Sequence, residues 1–300
     1  MDEELPDGRA SFVLAGSGDG RNCVELWSPK RLPFEPTGQL RGMKLELADR
    51  ISLLQCAPDQ LFHGIYASLV KDACDVENIL FYNVGLGPFV KCSPMGLRFE
   101  RMFHDPPPPP APLSEIPLHY HCYCPAGVKA GFQHWRRRRS LARWNLEVAS
   151  TEALRSTSDV WWLLKSQPDK LKIGHGPGLG WFGLSIEIRA NSRYRVNAPA
   201  LMKPLFDGVI SAFHSHTGQR IESVTDILSR KLNLSAEQAA RHLMSADMAI
   251  LGARQLLWPW RDSIQWNPTD ERCVVGELSV RESGISEVAM VGEIFEVASD

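Results

Sequence analysis

A length of 300 residues admits one large domain or two of ordinary size, and 44% apolar residues are enough to bury a core. The 33 basic and 35 acidic residues leave a formal charge of -2, which excludes a bulk electrostatic pull toward nucleic acid or anionic lipid, so any such contact has to come from a local patch. The seven cysteines are odd in number and scattered, which predicts reduced thiols, and no window approaches the roughly 18 apolar residues of a membrane span. A cytoplasmic protein with no membrane partner is the expectation.

Taken in chain order, "SFVLAG" and "NCVELWS" flank the turn-rich "SGDGR" and predict a β-hairpin. "GMKLELA" alternates as a strand, whereas residues 59 to 73 space Leu61, Phe62, Ile65 and Leu69 as a helix would. "GLRFERMF" and "PLHYHCYC" alternate with period two and predict strands paired across the run Pro106 to Pro110, an extended segment that serves as spacer, loop or docking sequence for a protein partner. "VWWLL" fits a strand or a helix, residues 181 to 190 a strand, and Pro199 to Phe213 a helix in which Pro204 is tolerable only near the first turn. Ser235 with Gln238 forms a capping-box pattern that opens a helix over 236 to 251. "SIQW", "RCVVGELSV" and "EVAMVGEIFEV" finish the chain as strands. Interleaved strands and helices give an α/β or α+β class with mixed sheets, divided into halves at 1–150 and 151–300.

Three clusters carry chemistry. Residues 132 to 144 hold Arg136, Arg137, Arg138, Arg139 and Arg143 between Trp135 and Trp144. Guanidinium forks grip phosphates and indoles stack on bases, so these seven residues are the candidate nucleic-acid contacts, with an amphipathic helix of internally paired arginines as the structural alternative. His119, His121, Cys122 and Cys124 are capable zinc ligands, but alternation along a strand sends the histidines and the cysteines to opposite faces. Gly174, Gly176, Gly178, Gly180 and Gly183 precede a strand and not a helix, which argues for a plain loop and against phosphate binding.

Lys203 and Asp207 share a helical face four residues apart. Together with Asp270-Glu271 ahead of an apolar strand they occupy an order that resembles the RusA-like Holliday-junction resolvases, whose hallmark is D-x-D-N-x-x-K-x-x-x-D-x-L followed by an acidic pair. The resemblance covers residues 180 to 282 and departs where the family's acids fall, at Asn197 and Pro199, with Ala200 for its Asn. An acidic-x-acidic-Asn string recurs as Asp75-Val76-Glu77-Asn78, with Phe81 in place of the lysine.

The resemblance implies two such halves in tandem, a pseudo-dimer in one polypeptide, with Lys203 and Asp207 as catalytic candidates and Asp75, Glu77, Asp270 and Glu271 as ligands for magnesium, whose hard cation needs oxygen donors. The loss of acids at 197 and 199 favours an inactive nucleic-acid-binding protein, with DNA ahead of RNA, no cofactor, and a monomeric or homo-oligomeric state. A magnesium-dependent structure-selective endodeoxyribonuclease and a protein-interaction module are the alternatives.

Overall fold

The computed structural model describes residues 11–17, 22–70, 73–174, 176, 178, 180–284 and 287–299. Strands run over Val13–Gly16 (β1), Val24–Ser28 (β2), Gln60–Ser68 (β3), Gly96–Met102 (β4), His119–Gly127 (β5), Trp135–Val148 (β6), Leu171–Ile173 (β7), Phe182–Ala190 (β8), Ser215–His216 (β9), Ala253–Arg254 (β10), Leu257–Trp260 (β11), Ser263–Trp266 (β12), Cys273–Glu282 (β13) and Val288–Ser299 (β14). Helices cover Gln39–Ser52 (α1), Gly87–Cys92 (α2), Thr157–Lys165 (α3), Ala198–Ala212 (α4), Ile221–Leu232 (α5) and Ala236–Met244 (α6), and a π-helical turn spans Asn78–Tyr82.

One 10-stranded mixed sheet, in the order β1-β2-β5-β3-β4-β13-β8-β14-β6-β7, forms the backbone of the α/β fold. The helices pack on one face, where a single large core cluster joins Leu201, Leu205, Phe206 and Trp161 to Phe99, Leu184, Ile186 and Leu278. Gly276 makes the close approach of α4 possible: a Cβ there would lie 2.3 Å from Phe99 and 2.4 Å from Phe206. The opposite face carries two small apolar clusters and a ladder of charged residues.

Reading outward from the central antiparallel pair β4/β13, the sheet repeats itself. On one side β4 is parallel to β3, which is antiparallel to β5, which is antiparallel to β2. On the other side β13 is parallel to β8, which is antiparallel to β14, which is antiparallel to β6. Each group follows the same chain order, with a helix between its first two strands (α1 or α3) and helical chain between its second and third (residues 78 to 92, or α4 onward). The strand β6, placed by sequence in the first half, thus belongs with the second group.

Several local expectations are corrected. Residues 60 to 68 are strand and not helix, because seven consecutive buried positions, Leu61 to Ala67, serve a central strand covered on both faces. "GMKLELA" lies inside α1, whose buried stripe is Met43, Leu47 and Ile51, at helical spacing. The strands β4 and β5 do not pair with each other, since β3 lies between them. "VWWLL", which the sequence leaves open between strand and helix, is helical, within α3. Pro204 sits inside α4 and not in its first turn, and α6 ends at Met244 although its Ser235–Gln238 capping box forms. The β1/β2 hairpin forms, while residues 18 to 21 of its connection lie outside the described residues. The proline segment is pinned to the sheet by Trp27 Nε1, which donates to the Pro107 carbonyl at 2.7 Å.

Candidate active site at the seam between the two strand groups

The chain leaving β3 and the helix α4 meet over the β4/β13 junction. Asp75 caps the helical turn that follows it: Oδ1 accepts the Asn78 N–H at 3.1 Å. Its other oxygen, Oδ2, faces Lys203 of α4, whose Nζ donates at 3.4 Å. The same Nζ stands 3.2 Å from Asp207, one helical turn on, and 3.9 Å from Glu77. Asp270, in the turn that feeds β13, shares a hydrogen bond with Asp75 and feels the charges of Asp75, Asp207 and Lys203. Five of the residues singled out in the sequence therefore form one cluster, drawn from both strand groups. The sixth does not join it: Glu271 turns toward Arg254, 3.6 Å away.

The electrostatics are those of a crowded anionic pocket. Burial, then the neighbouring carboxylates Asp75, Asp207 and Asp270, push Glu77 well above the usual carboxylate range against the opposing pull of Lys203. Burial and Asp75 raise Asp207 to about 6, and burial with Asp75 and Asp207 raises Asp270 to about 8. Burial works against the Lys203 ammonium, but Asp207, Asp75, Glu77 and Asp270 together hold it well above the ordinary lysine value. Glu77 is 4% exposed, and its Oε1 has no hydrogen-bond partner, an orphan that an apolar interior would not tolerate without cost. Lys203 keeps 28% exposure, so the cluster meets solvent at this side chain.

The donor set of four carboxyl groups is all oxygen, which fits a hard divalent cation that displaces the protons these groups hold. Among the described residues no three such side chains stand ready-made around a metal position, because Lys203 Nζ occupies the middle of the group. Cys273, fully buried beside Asp75 and Asp270, is held far above the usual thiol range by burial and by those carboxylates, so it stays a neutral thiol. Behind Asp270, the Thr269 hydroxyl and His214 Nε2 lie 2.9 Å apart, while His214 Nδ1 lies 2.9 Å from the Gly252 carbonyl. That carbonyl can only accept, so Nδ1 carries the proton and Nε2 accepts from Thr269. Nothing in the local sequence announced this link.

The arginine-rich segment is a strand, not an amphipathic helix, and its chemistry is half internal. Arg137 and Arg143 both pair with Glu293, at 3.2 and 2.9 Å, and Arg139 pairs with Glu296 at 2.7 Å. Trp135 and Trp144 are 4% and 3% exposed, which removes both rings as stacking surfaces. Arg136, Arg137, Arg138 and Arg139 are all exposed. The start of β6 shares one end of the sheet with the cluster: Cys273 faces Phe182, Phe182 faces Glu296, and the next residue, Val297, faces Arg137. Three strand spacings put the arginines about 14 Å from the start of β13. The exposed aromatics at this end are others, which the sequence reading passed over. Phe103 follows β4 and Trp181 precedes β8, bracketing the strand that Asp270 leads into; they are 46% and 40% exposed, with ring centroids 5.4 Å apart. The Arg101 guanidinium lies 4.9 Å from the Phe103 ring.

His119 and His121 point to the helix side of β5, where His119 lies 2.8 Å from the Tyr66 hydroxyl and His121 lies 3.1 Å from that of Tyr123. Cys122 packs on the other face beside Tyr120, so the four do not converge. Burial lowers His121 to about 3, keeping it neutral.

No family model matches the chain, and no curated protein or solved structure shows significant similarity to it. Among the described residues no helix is long and apolar enough to cross a membrane.

Proposed function

We propose that this protein is a divalent-metal-dependent endonuclease acting on DNA, built as two RusA-like halves in one chain. The observation that carries the reading is the convergence of Asp75 and Glu77, from the first strand group, with Lys203, Asp207 and Asp270, from the second. The sequence favours an inactive protein because Asn197 and Pro199 replace acids; the convergence supports an active one, since the missing acids are supplied across the seam.

Asp75, Glu77 and Asp270 are the residues that would hold magnesium, which when bound supplies an activated water and charge neutralisation at the phosphate. Asp207 holds Lys203 by an ion pair one turn away, and the lysine side chain keeps 28% exposure at the edge of the cluster. There it binds a non-bridging oxygen of the scissile phosphate and stabilises the charge that develops as the P–O bond breaks. Arg138 supplies a backbone phosphate contact about 14 Å from the start of β13, and Phe103 with Trp181 offers a platform for unstacked bases. DNA is preferred as the substrate class because the resemblance points there, and the exposed aromatic pair suits a branched or partly single-stranded form.

The test is incubation of four-way-junction, duplex and single-stranded DNA, end-labelled on each strand, with magnesium or manganese. Metal-dependent incision abolished by Asp75→Asn supports the reading. Salt-sensitive binding without incision by the wild type would return it to the inactive nucleic-acid-binding protein.

A further inference from the structure

The repeated topology allows each residue of the cluster to be matched with its counterpart across the β4/β13 junction. Asp75 lies seven residues beyond the end of β3 at Ser68, and Asn197 seven beyond the end of β8 at Ala190. The two side chains do the same local work, since Asn197 Oδ1 accepts the Ala200 N–H at 3.3 Å as Asp75 Oδ1 accepts that of Asn78 at 3.1 Å. The cap survives and the charge does not. Continuing in step, Glu77 matches Pro199, Phe81 matches Lys203 and Gly85 matches Asp207. Asp270, three residues before β13, matches Ser93, three before β4.

A second centre, related to the first by the local two-fold of the sheet, would therefore be made of Asn197, Pro199, Phe81, Gly85 and Ser93. None of these carries a charge, so none neutralises a phosphate or ligates a hard cation as a carboxylate does. Phe81 is 1% exposed and packs against Phe89 with centroids 5.2 Å apart, so the position that holds the lysine in one half is part of the core in the other.

We infer that the chain holds one catalytic centre where a two-fold pair of such halves would hold two, and that it cuts one strand per binding event, leaving a nick. This rests on the endonuclease reading above. In the reaction water attacks phosphorus, one P–O ester bond breaks, and the departing oxygen takes a proton, giving one phosphate end and one hydroxyl end on a single strand. The opposite strand stays intact because, among the described residues, no second set of acids faces it.

The experiment uses the full chain, its mass in solution established by sedimentation, and a supercoiled plasmid with an extruded cruciform in magnesium. One incision relaxes the plasmid to a nicked circle, whereas paired incisions within one encounter give linear DNA directly. Nicked circle as the first product, with linear DNA trailing as a slow second step, is the expected result. Linear DNA as the first product from a monomer overturns the inference. The number of centres is also read without cleavage, by titrating manganese and following free Mn2+ by electron paramagnetic resonance. Binding lost in Asp75→Asn is expected; a class of bound Mn2+ that persists in Asp75→Asn and falls with Asn197→Ala overturns the single-centre inference alone. A plasmid left supercoiled while Mn2+ still binds through Asp75 overturns the endonuclease reading and leaves the count standing. No bound Mn2+ in the wild type overturns both.

Discussion

Lys203 Nζ lies 3.4 Å from Asp75 Oδ2, a contact between residues 128 positions apart and from opposite strand groups of the sheet. It ties the two halves into one site, and it fixes what removal of the lysine should do. On the proposed endonuclease reading, Lys203→Met takes the cationic partner from the phosphate, and the rate of incision should fall about 10²–10³-fold, as for loss of one donor to a developing negative charge. Folding should weaken too at neutral pH, because Asp75, Glu77 and Asp207 lose their common counter-charge. Single-turnover cleavage with saturating metal measures the first effect and thermal unfolding the second. A variant with unchanged rate removes Lys203 from the chemistry.

The site was legible where the signal was local. Asp75-Val76-Glu77-Asn78 can be read off four letters, and Lys203 with Asp207 from helical spacing, but that they meet depends on sheet order, which no local pattern encodes. The strand β3 misled because a strand buried on both faces alternates with nothing and mimics a helix. Trp135 and Trp144 misled because sequence gives residue type and not burial. The resemblance pairs Glu271 with Asp270, yet neighbouring residues in a tight turn project apart, one to the cluster and the other to Arg254.

The raised carboxyls set a direction for stability against pH. Asp270 in the folded protein titrates at about 8, above its unfolded range near ~4. Between those values the folded state binds the extra proton, so stability falls as pH rises through the window. Asp270→Asn removes that dependence. The variant should unfold at a temperature close to the wild type at pH 4 and above it at pH 8, while losing incision. Thermal melts at both values, without metal, check the sign; a variant less stable than the wild type at pH 8 contradicts the crowded-anion account.

The arginines of β6 divide into two groups by partner. Arg137 and Arg143 are committed to Glu293, as Arg139 is to Glu296, so their replacement by alanine should cost under about 1 kcal/mol of stability each, the usual worth of an exposed pair. Arg138 is exposed, and Arg138→Ala should lower the slope of log affinity against log salt by about 0.9 on duplex DNA. The tryptophans divide likewise. Trp181→Ala should weaken binding of single-stranded or branched DNA by about 1–3 kcal/mol with little change in folding, whereas buried Trp135→Ala should cost about 3–5 kcal/mol of stability. Salt titrations by fluorescence anisotropy, paired with denaturant melts, separate the classes; equal binding losses for Arg137→Ala and Arg138→Ala would erase the distinction.

Thr269 and His214 support Asp270 from behind. The imidazole has its Nδ1 proton on the Gly252 carbonyl, so Nε2 is left as an acceptor for the Thr269 hydroxyl, and the chain is thereby fixed one residue before the carboxyl that faces Asp75. Burial first, then Arg254, Arg272 and Lys165, lower His214 to about 4, so this arrangement holds across neutral pH. Thr269→Val keeps the shape and removes the donor. It should slow incision by about 10–100-fold, the usual loss when a group orienting a metal ligand is removed. Thr269→Ser should restore most of the rate, because the hydroxyl returns. A purely structural role would instead make the valine variant lose stability without a change in rate per folded molecule, which active-site titration alongside thermal melts would expose.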